Sequence, residues 1–284
     1  MKPVGYLTEH ADLDTHQYAI IDRVLFKQLP ESLPVIELVT PLLAPQAHIY
    51  PWLVPLREVG GAQWKNLMSD ANAATDAATM PLMGLLLKSE LSPEEIKKSL
   101  LDMLIIRDAD QHNHVLRFYD PRVLFHLQWM LSGWEFFHRF NVQKIQCWTF
   151  WLEGQWQTLS YPQRPSYEAG SEQNPFTQLQ RIGQINRALA ELPRSPDLYS
   201  RQKMSQRIDA LLQQCPLKAE TDKVAFALHG VTYGEDFWKA EKMMELLKEA
   251  QGVQGYYARL TSSWREDDWK AALKRINQAK GNLL

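Results

Sequence analysis

The run from Tyr161 to Pro175 constrains the fold more than any other stretch of this 284-residue chain. It is rich in Pro, Ser, Gly, Glu and Gln and has no hydrophobic period, so neither a strand nor a helix with one buried face runs through it. Before it, strand-like and helix-like segments alternate; after it, the chain reads as helical. The expected architecture is α+β: a mixed α/β domain over residues 1–160, a linker at 161–175, and a small all-helical domain over 176–284. Two units suit a chain of this length at ~100–200 residues per domain.

In the first part, Tyr18 to Asp22 reads as a short buried strand and Arg23 to Gln28 as the beginning of a helix. Val35 to Thr40 and Ile49 to Leu56 are extended, but Pro41, Pro45, Pro51 and Pro55 confine them to edges or irregular chain. Trp64 to Ala78 is Ala-rich and helix-prone, and Leu82 to Leu87 has the continuous apolar character of a buried strand. Ser92-Pro93-Glu94-Glu95 is a helix start with a capping box. Ile105 to Arg107 and Val115 to Tyr119 flank a polar tip, which predicts a hairpin. A long aromatic helix from Pro121 follows, through Phe125, Trp129 and Phe136 or Phe137. A second hairpin turns at Gly154, between Lys144 to Trp151 and Gln155 to Ser160.

About five helices are expected in the second part. The first starts at Asn174-Pro175 and carries Phe176, Leu179, Ile182 and Ile185. The next spans Leu198 to Cys215, and a short one from Asp222 to His229 ends at Gly230, a usual helix-terminating residue. Asp236 to Ala250 is amphipathic with Phe237, Ala240, Met244 and Leu247 on one face, and the last, about Glu266 to Lys280, aligns Trp269, Leu273 and Ile276.

Composition narrows the function classes. The formal net charge is −2, so no global field points to nucleic acid. Cys147 and Cys215 have no CxxC spacing and imply no disulfide framework. Met1 to His16 lacks the basic start and apolar run of a signal peptide, and no stretch approaches the ~20 apolar residues of a membrane span. A cytoplasmic protein without membrane insertion is expected. Phosphate loops, nucleophile elbows and zinc-protease motifs are missing, and no cofactor is implied.

The junction from Leu116 to Leu124 is the most informative short motif. The physics of its residues predicts a strand ending at Tyr119 and a helix beginning at Pro121, with Asp120 as the cap. Arg117 and Arg122 flank Asp120. They suit an internal ion-pair and cap network that fixes the turn, or a preorganised clamp for a partner's carboxylate.

Arg117-Phe118-Tyr119-Asp120-Pro121-Arg122, continuing into Val123-Leu124, resembles the hallmark of the type VI secretion effector-chaperone family. Tyr18 to Asp22 resembles that family's opening strand, and Tyr50 to Leu56 its aromatic-Leu-Val-Pro-Leu segment. The stretch from Leu87 through Glu94-Glu95-Ile96 to Ile106 resembles the part before the hallmark. The resemblance covers about Tyr18 to Trp148. It implies a non-enzymatic adaptor that binds a secretion effector and delivers it to the VgrG spike, with the helical domain setting effector choice. A groove between the domains is the expected seat of the effector segment. Trp238, Met243, Met244, Trp264 and Trp269 are the candidate partner-binding residues, as aromatic and adaptable Met side chains favour interfaces.

Two other functions compete. His112-Asn113-His114 carries the letters of a metal-dependent nuclease motif, with His126 on the following helix as a further ligand, although a solvated turn accounts for the same letters. Asp108, Asp110 and His114 are also of the type that binds a divalent ion, without the spacing of a calcium loop. A toxin-binding immunity protein is the third reading.

Overall fold

The computed structural model describes residues 7–8, 12–30, 32–77, 80–160 and 175–281. Its elements begin with β1 (Leu7–Thr8), β2 (Tyr18–Ile21), β3 (Ile36–Glu37), β4 (Trp52–Pro55) and α1 (Gly61–Ala77). β5 (Leu85–Ser89), α2 (Pro93–Leu104), β6 (Ile105–Arg107), β7 (Asn113–Val115), α3 (Pro121–Met130) and α4 (Gly133–Arg139) come next. β8 (Ile145–Leu152) and β9 (Gln155–Ser160) close the strand-bearing part. Seven helices follow among the described residues: α5 (Phe176–Leu179), α6 (Ile182–Ala190), α7 (Leu198–Gln214), α8 (Glu220–Tyr233), α9 (Glu241–Ala250), α10 (Tyr256–Thr261) and α11 (Glu266–Gly281). The chain divides into two compact units, Met1–Leu179 and Gln180–Leu284. The α+β class with a helical C-terminal region is therefore as expected; residues 161–174 of the expected linker lie outside the described residues.

The first unit is built on a seven-stranded sheet in the order β1-β9-β8-β5-β2-β4-β3, with every neighbouring pair antiparallel. Central β2 is buried along its whole length because both faces are covered. Ala19 and Ile21 face one side with Val54, Leu86, Trp151 and Trp156, packed against Leu67 and Ala71 of α1. On the other side Phe118 and Phe140 meet the Trp148 ring edge-on, with centroids 5.9 and 5.2 Å away. Neighbouring residues of a strand point to opposite faces. The tryptophans of β8 and β9 therefore serve two separate cores: Trp148 on one face, Trp151 and Trp156 on the other. Glu153 (φ 52°) and Gly154 (φ 84°) form the two-residue turn between β8 and β9, both in the left-handed region that such hairpins need.

Local signals place several helix starts. Ser92 and Glu95 form a reciprocal capping box at α2, with Ser92 N–H donating to Glu95 Oε2 at 3.0 Å. The single long helix expected from Pro121 is two. α3 ends at Met130, and Ser132 with Glu135 makes a second capping box that starts α4. The Ser-x-x-Glu signature at 132–135 carries this break. Arg23 to Leu25 is a turn and not a helix start, because the Asp22 side chain takes the Val24 N–H at 2.9 Å.

The second unit packs Phe226, Phe237, Met243, Tyr257 and Trp269 into one core. Asp222 of α8 is buried, and its two carboxylate oxygens accept the Gly255 and Ala258 N–H groups at 2.9 Å each, capping α10 from another helix. Two expectations are corrected here. Gly230 does not end a helix: α8 runs on to Tyr233 and stops at Gly234, whose φ is 105°. Gly230 is instead a packing residue, since a Cβ there would overlap the Leu211 side chain of α7. The amphipathic face is also reset. A short 3-10 turn at Phe237–Lys239 precedes α9, so Met243 points inward and Met244 outward.

Candidate functional site

β2 ends at Ile21, and Asp22 follows it with its side chain almost wholly buried (3% exposed). One oxygen, Oδ1, accepts the Val24 N–H. The other, Oδ2, accepts from Arg117 Nη2 at 3.2 Å. Adjacency in sequence suggests that Arg117 pairs with Asp120; the fold gives it to Asp22, and Asp120 serves Arg122. Asp120 Oδ1 accepts the Arg122 backbone N–H at 2.9 Å and Arg122 Nε at 3.0 Å, while Oδ2 accepts Arg122 Nη2 at 2.8 Å. This is an N-cap and a two-pronged guanidinium pair on one carboxylate.

The strand expected to reach Tyr119 stops at Val115. Phe118 N–H donates to Leu116 O and Asp120 N–H to Arg117 O, so residues 116–120 turn. The turn drives Phe118 into the core against Trp148, a larger apolar gain than a longer edge hairpin provides. Phe118, Tyr119, Asp120 and Pro121 are all buried. Burial also pushes the Tyr119 phenol above its ordinary pKa. By contrast Arg117 and Arg122 keep 45% and 58% of their side chains in solvent. The Arg117 guanidinium carbon lies 5.5 Å from the Tyr119 ring centre, which further limits its orientation. Beside this pair, Val24 and Leu25 project from the turn held by Asp22, at 46% and 54% exposure. The hallmark thus has an interior half that builds the junction and two held, half-exposed guanidiniums next to an apolar turn.

The hairpin tip is organised around Asp108. Its Oδ1 accepts the His112 N–H at 2.9 Å, and its Oδ2 meets His114 Nε2 at 2.9 Å. The His114 hydrogen bond, reinforced by His112, holds the Asp108 carboxyl down at about 2. The His114 ring packs on Phe176 with centroids 4.2 Å apart. Potential ligand atoms of Asp108, Asp110 and His112 lie within 4.8 Å of one another, and among the described residues this is the one such group. His126 is not part of it. It is fully buried on α3, edge-on to Phe125 and Trp129. The helix expected from Asn174-Pro175 begins in the first unit, where α5 brings Phe176 to His114.

The five candidate partner-binding residues of the second unit divide by exposure. Met243 is fully buried and Trp269 is 5% exposed, with His229 and Tyr233 against its ring. Trp238 and Trp264 pack half-buried on the same core. Met244 stands out at 50% exposure.

Residues 17–135 match the family model described as a domain of unknown function, DUF4123. The matched segment runs from the residue before β2 into α4, and so contains Asp22, Arg117, Asp120 and Arg122 together. No curated protein and no solved structure matches the chain. No helix among the described residues is long and apolar enough to cross a membrane. Sequence reasoning missed the role of Asp22, although Asp22 and Arg117 both lie within the matched segment; that shared membership is the available signal.

Proposed function

We propose that this chain is a non-enzymatic, cytoplasmic adaptor that binds a type VI secretion effector and delivers it to the VgrG spike. The observation that carries the reading is the divided hallmark. Its apolar residues and Asp120 are used up in the fold, while Arg117 and Arg122 are held by Asp22 and Asp120 with about half of each side chain still in solvent. Guanidiniums fixed in advance lose little side-chain freedom when a partner binds, and Arg is among the residues enriched in interface hot spots. Val24 and Leu25 add exposed aliphatic surface beside the Asp22–Arg117 pair. The match of residues 17–135 to a family model, and the resemblance of Arg117 to Leu124 to the effector-chaperone hallmark, support the same reading.

Co-expression with a candidate effector from an adjacent gene, a tagged pull-down and size-exclusion chromatography test it. A stable complex with intact effector is expected, weakened by the double substitution Arg117→Ala/Arg122→Ala. Deletion of the gene is expected to block secretion of that effector. Death of the producing cell upon deletion would instead mark an immunity protein, and a complex indifferent to both arginines would remove the hallmark from the contact surface.

A further inference from the structure

The first unit contains a cavity of about 660 Å³ away from the Asp22–Arg117 pair. Its walls come from α2, the β6–β7 hairpin, α4 and the residue before the Pro41–Ile49 turn. Leu101, Ile105 and Ile106 give it an aliphatic side. Arg107, Asn113, Thr40 and Arg139 give it a polar one, and exposed Asp102 also lines it.

Arg139 is the unusual member. It is half-buried on α4, and no carboxylate among the described residues comes within ion-pairing distance of it. Its hydrogen bond to the Ile105 carbonyl, from Nη1, is long at 3.5 Å. The ordinary partner for a helical Arg is a Glu four residues earlier, and Glu135 occupies that position. The Glu135 carboxylate is committed elsewhere: its Oε2 accepts both the N–H and the hydroxyl of Ser132 at 2.9 Å. The capping box that starts α4 therefore withdraws the counter-ion Arg139 would otherwise have. Burial holds the guanidinium below its ordinary pKa, with Glu135 opposing from a distance. The Thr40 hydroxyl is likewise buried with no hydrogen-bond partner among the described residues.

We infer that this cavity is a binding site for a carboxylate carried on a polypeptide segment, received by Arg139. Arg139 brings a single positive charge with no carboxylate within ion-pairing distance among the described residues, which one carboxylate neutralises and a doubly charged phosphate exceeds. The planar guanidinium matches the two oxygens of a carboxylate. The aliphatic wall accepts the methylenes of a Glu side chain or the apolar residue beside it, and the volume lies in the range of small-ligand pockets. The inference depends on the local geometry alone, so it stands or falls separately from the secretion reading.

The test titrates the full chain with acetyl-Glu-Leu-amide, acetyl-Gln-Leu-amide and inorganic phosphate, following the methyl resonances of Leu101, Ile105 and Ile106. The expected result is a saturable shift with the Glu peptide and affinity for the Gln peptide at least ~10-fold weaker, the order a charge-assisted bond gives. Arg139→Gln is expected to abolish that difference, and Arg139→Lys to retain part of it. Equal shifts with both peptides, absence of any saturable shift, or tighter binding of phosphate would each overturn the assignment. Should Arg139→Gln fail to fold, the wild-type comparison and Arg139→Lys decide the matter.

Discussion

Arg117 donates to Asp22 at 3.2 Å and so ties the end of β2 to the turn before α3, across 95 residues of sequence. Asp22 is the buried partner and Arg117 the half-exposed one. Removing the arginine therefore leaves a desolvated carboxylate with the Val24 N–H as its remaining donor, whereas removing the aspartate returns an arginine to water. We expect Arg117→Ala to cost about 1–2 kcal/mol, an unpaired buried acceptor moderated by solvent access. Asp22→Asn and Arg117→Ala together are expected to cost less than the sum of the two alone. A double-mutant cycle in urea reads the coupling, and strict additivity would show the pair to be ornamental.

Asp120 joins two roles on one side chain, the helix cap and the Arg122 pair. Asp120→Ala should lower stability by about 1–2 kcal/mol, most of it from the cap. Asp120→Asn keeps a capping oxygen and loses the charge pair, so it should recover most of that loss. Thermal melts of the two variants separate the contributions; a melting temperature untouched by Asp120→Ala would contradict the structural role.

Gly230 lies inside α8, where Ala is intrinsically better by about 1 kcal/mol. The structure reverses that preference, because the added methyl would meet buried Leu211. Gly230→Ala is expected to destabilise the second unit by about 1–3 kcal/mol, the usual range for overpacking. Leu211→Ala should be less damaging on the Gly230→Ala background than alone. A stabilising Gly230→Ala would show that α7 and α8 have room to separate.

Acid should weaken the second unit through His229. Its ring is packed on Trp269, and its Nδ1 receives the Tyr257 hydroxyl at 2.8 Å. Burial lowers its pKa to about 4, below the 6.5 of an exposed histidine. The neutral ring is therefore the folded form. Its contribution is complete above pH 6.5 and is lost as pH falls from there towards 4, while the unfolded chain takes up the proton. The loss by about pH 4.5 is about 2–3 kcal/mol. His16 acts in the same direction in the first unit: burial foremost lowers its pKa, and its Nε2 meets the Thr149 hydroxyl at 2.8 Å. Ring-proton NMR titration checks both, and a His229 midpoint near the ordinary 6.5 would remove the argument.

The Ser92–Glu95 box, the Asp120–Pro121 start and the Glu153-Gly154 turn each act through hydrogen bonds and dihedral preferences within a few residues. Sequence alone therefore determined them, along with the α+β class. Ser132 and Glu135 are equally local signals, masked by the continuous aromatic character of residues 125–137. Tertiary structure decided the rest: that Arg117 belongs to Asp22, that Met243 and not Met244 is core, that Gly230 packs rather than terminates, and that Arg139 faces a cavity without a counter-ion among the described residues. Each depends on which elements become neighbours. Strand order and helix packing bring residues tens of positions apart into contact, and periodicity along the chain carries no information about which partner a side chain will find.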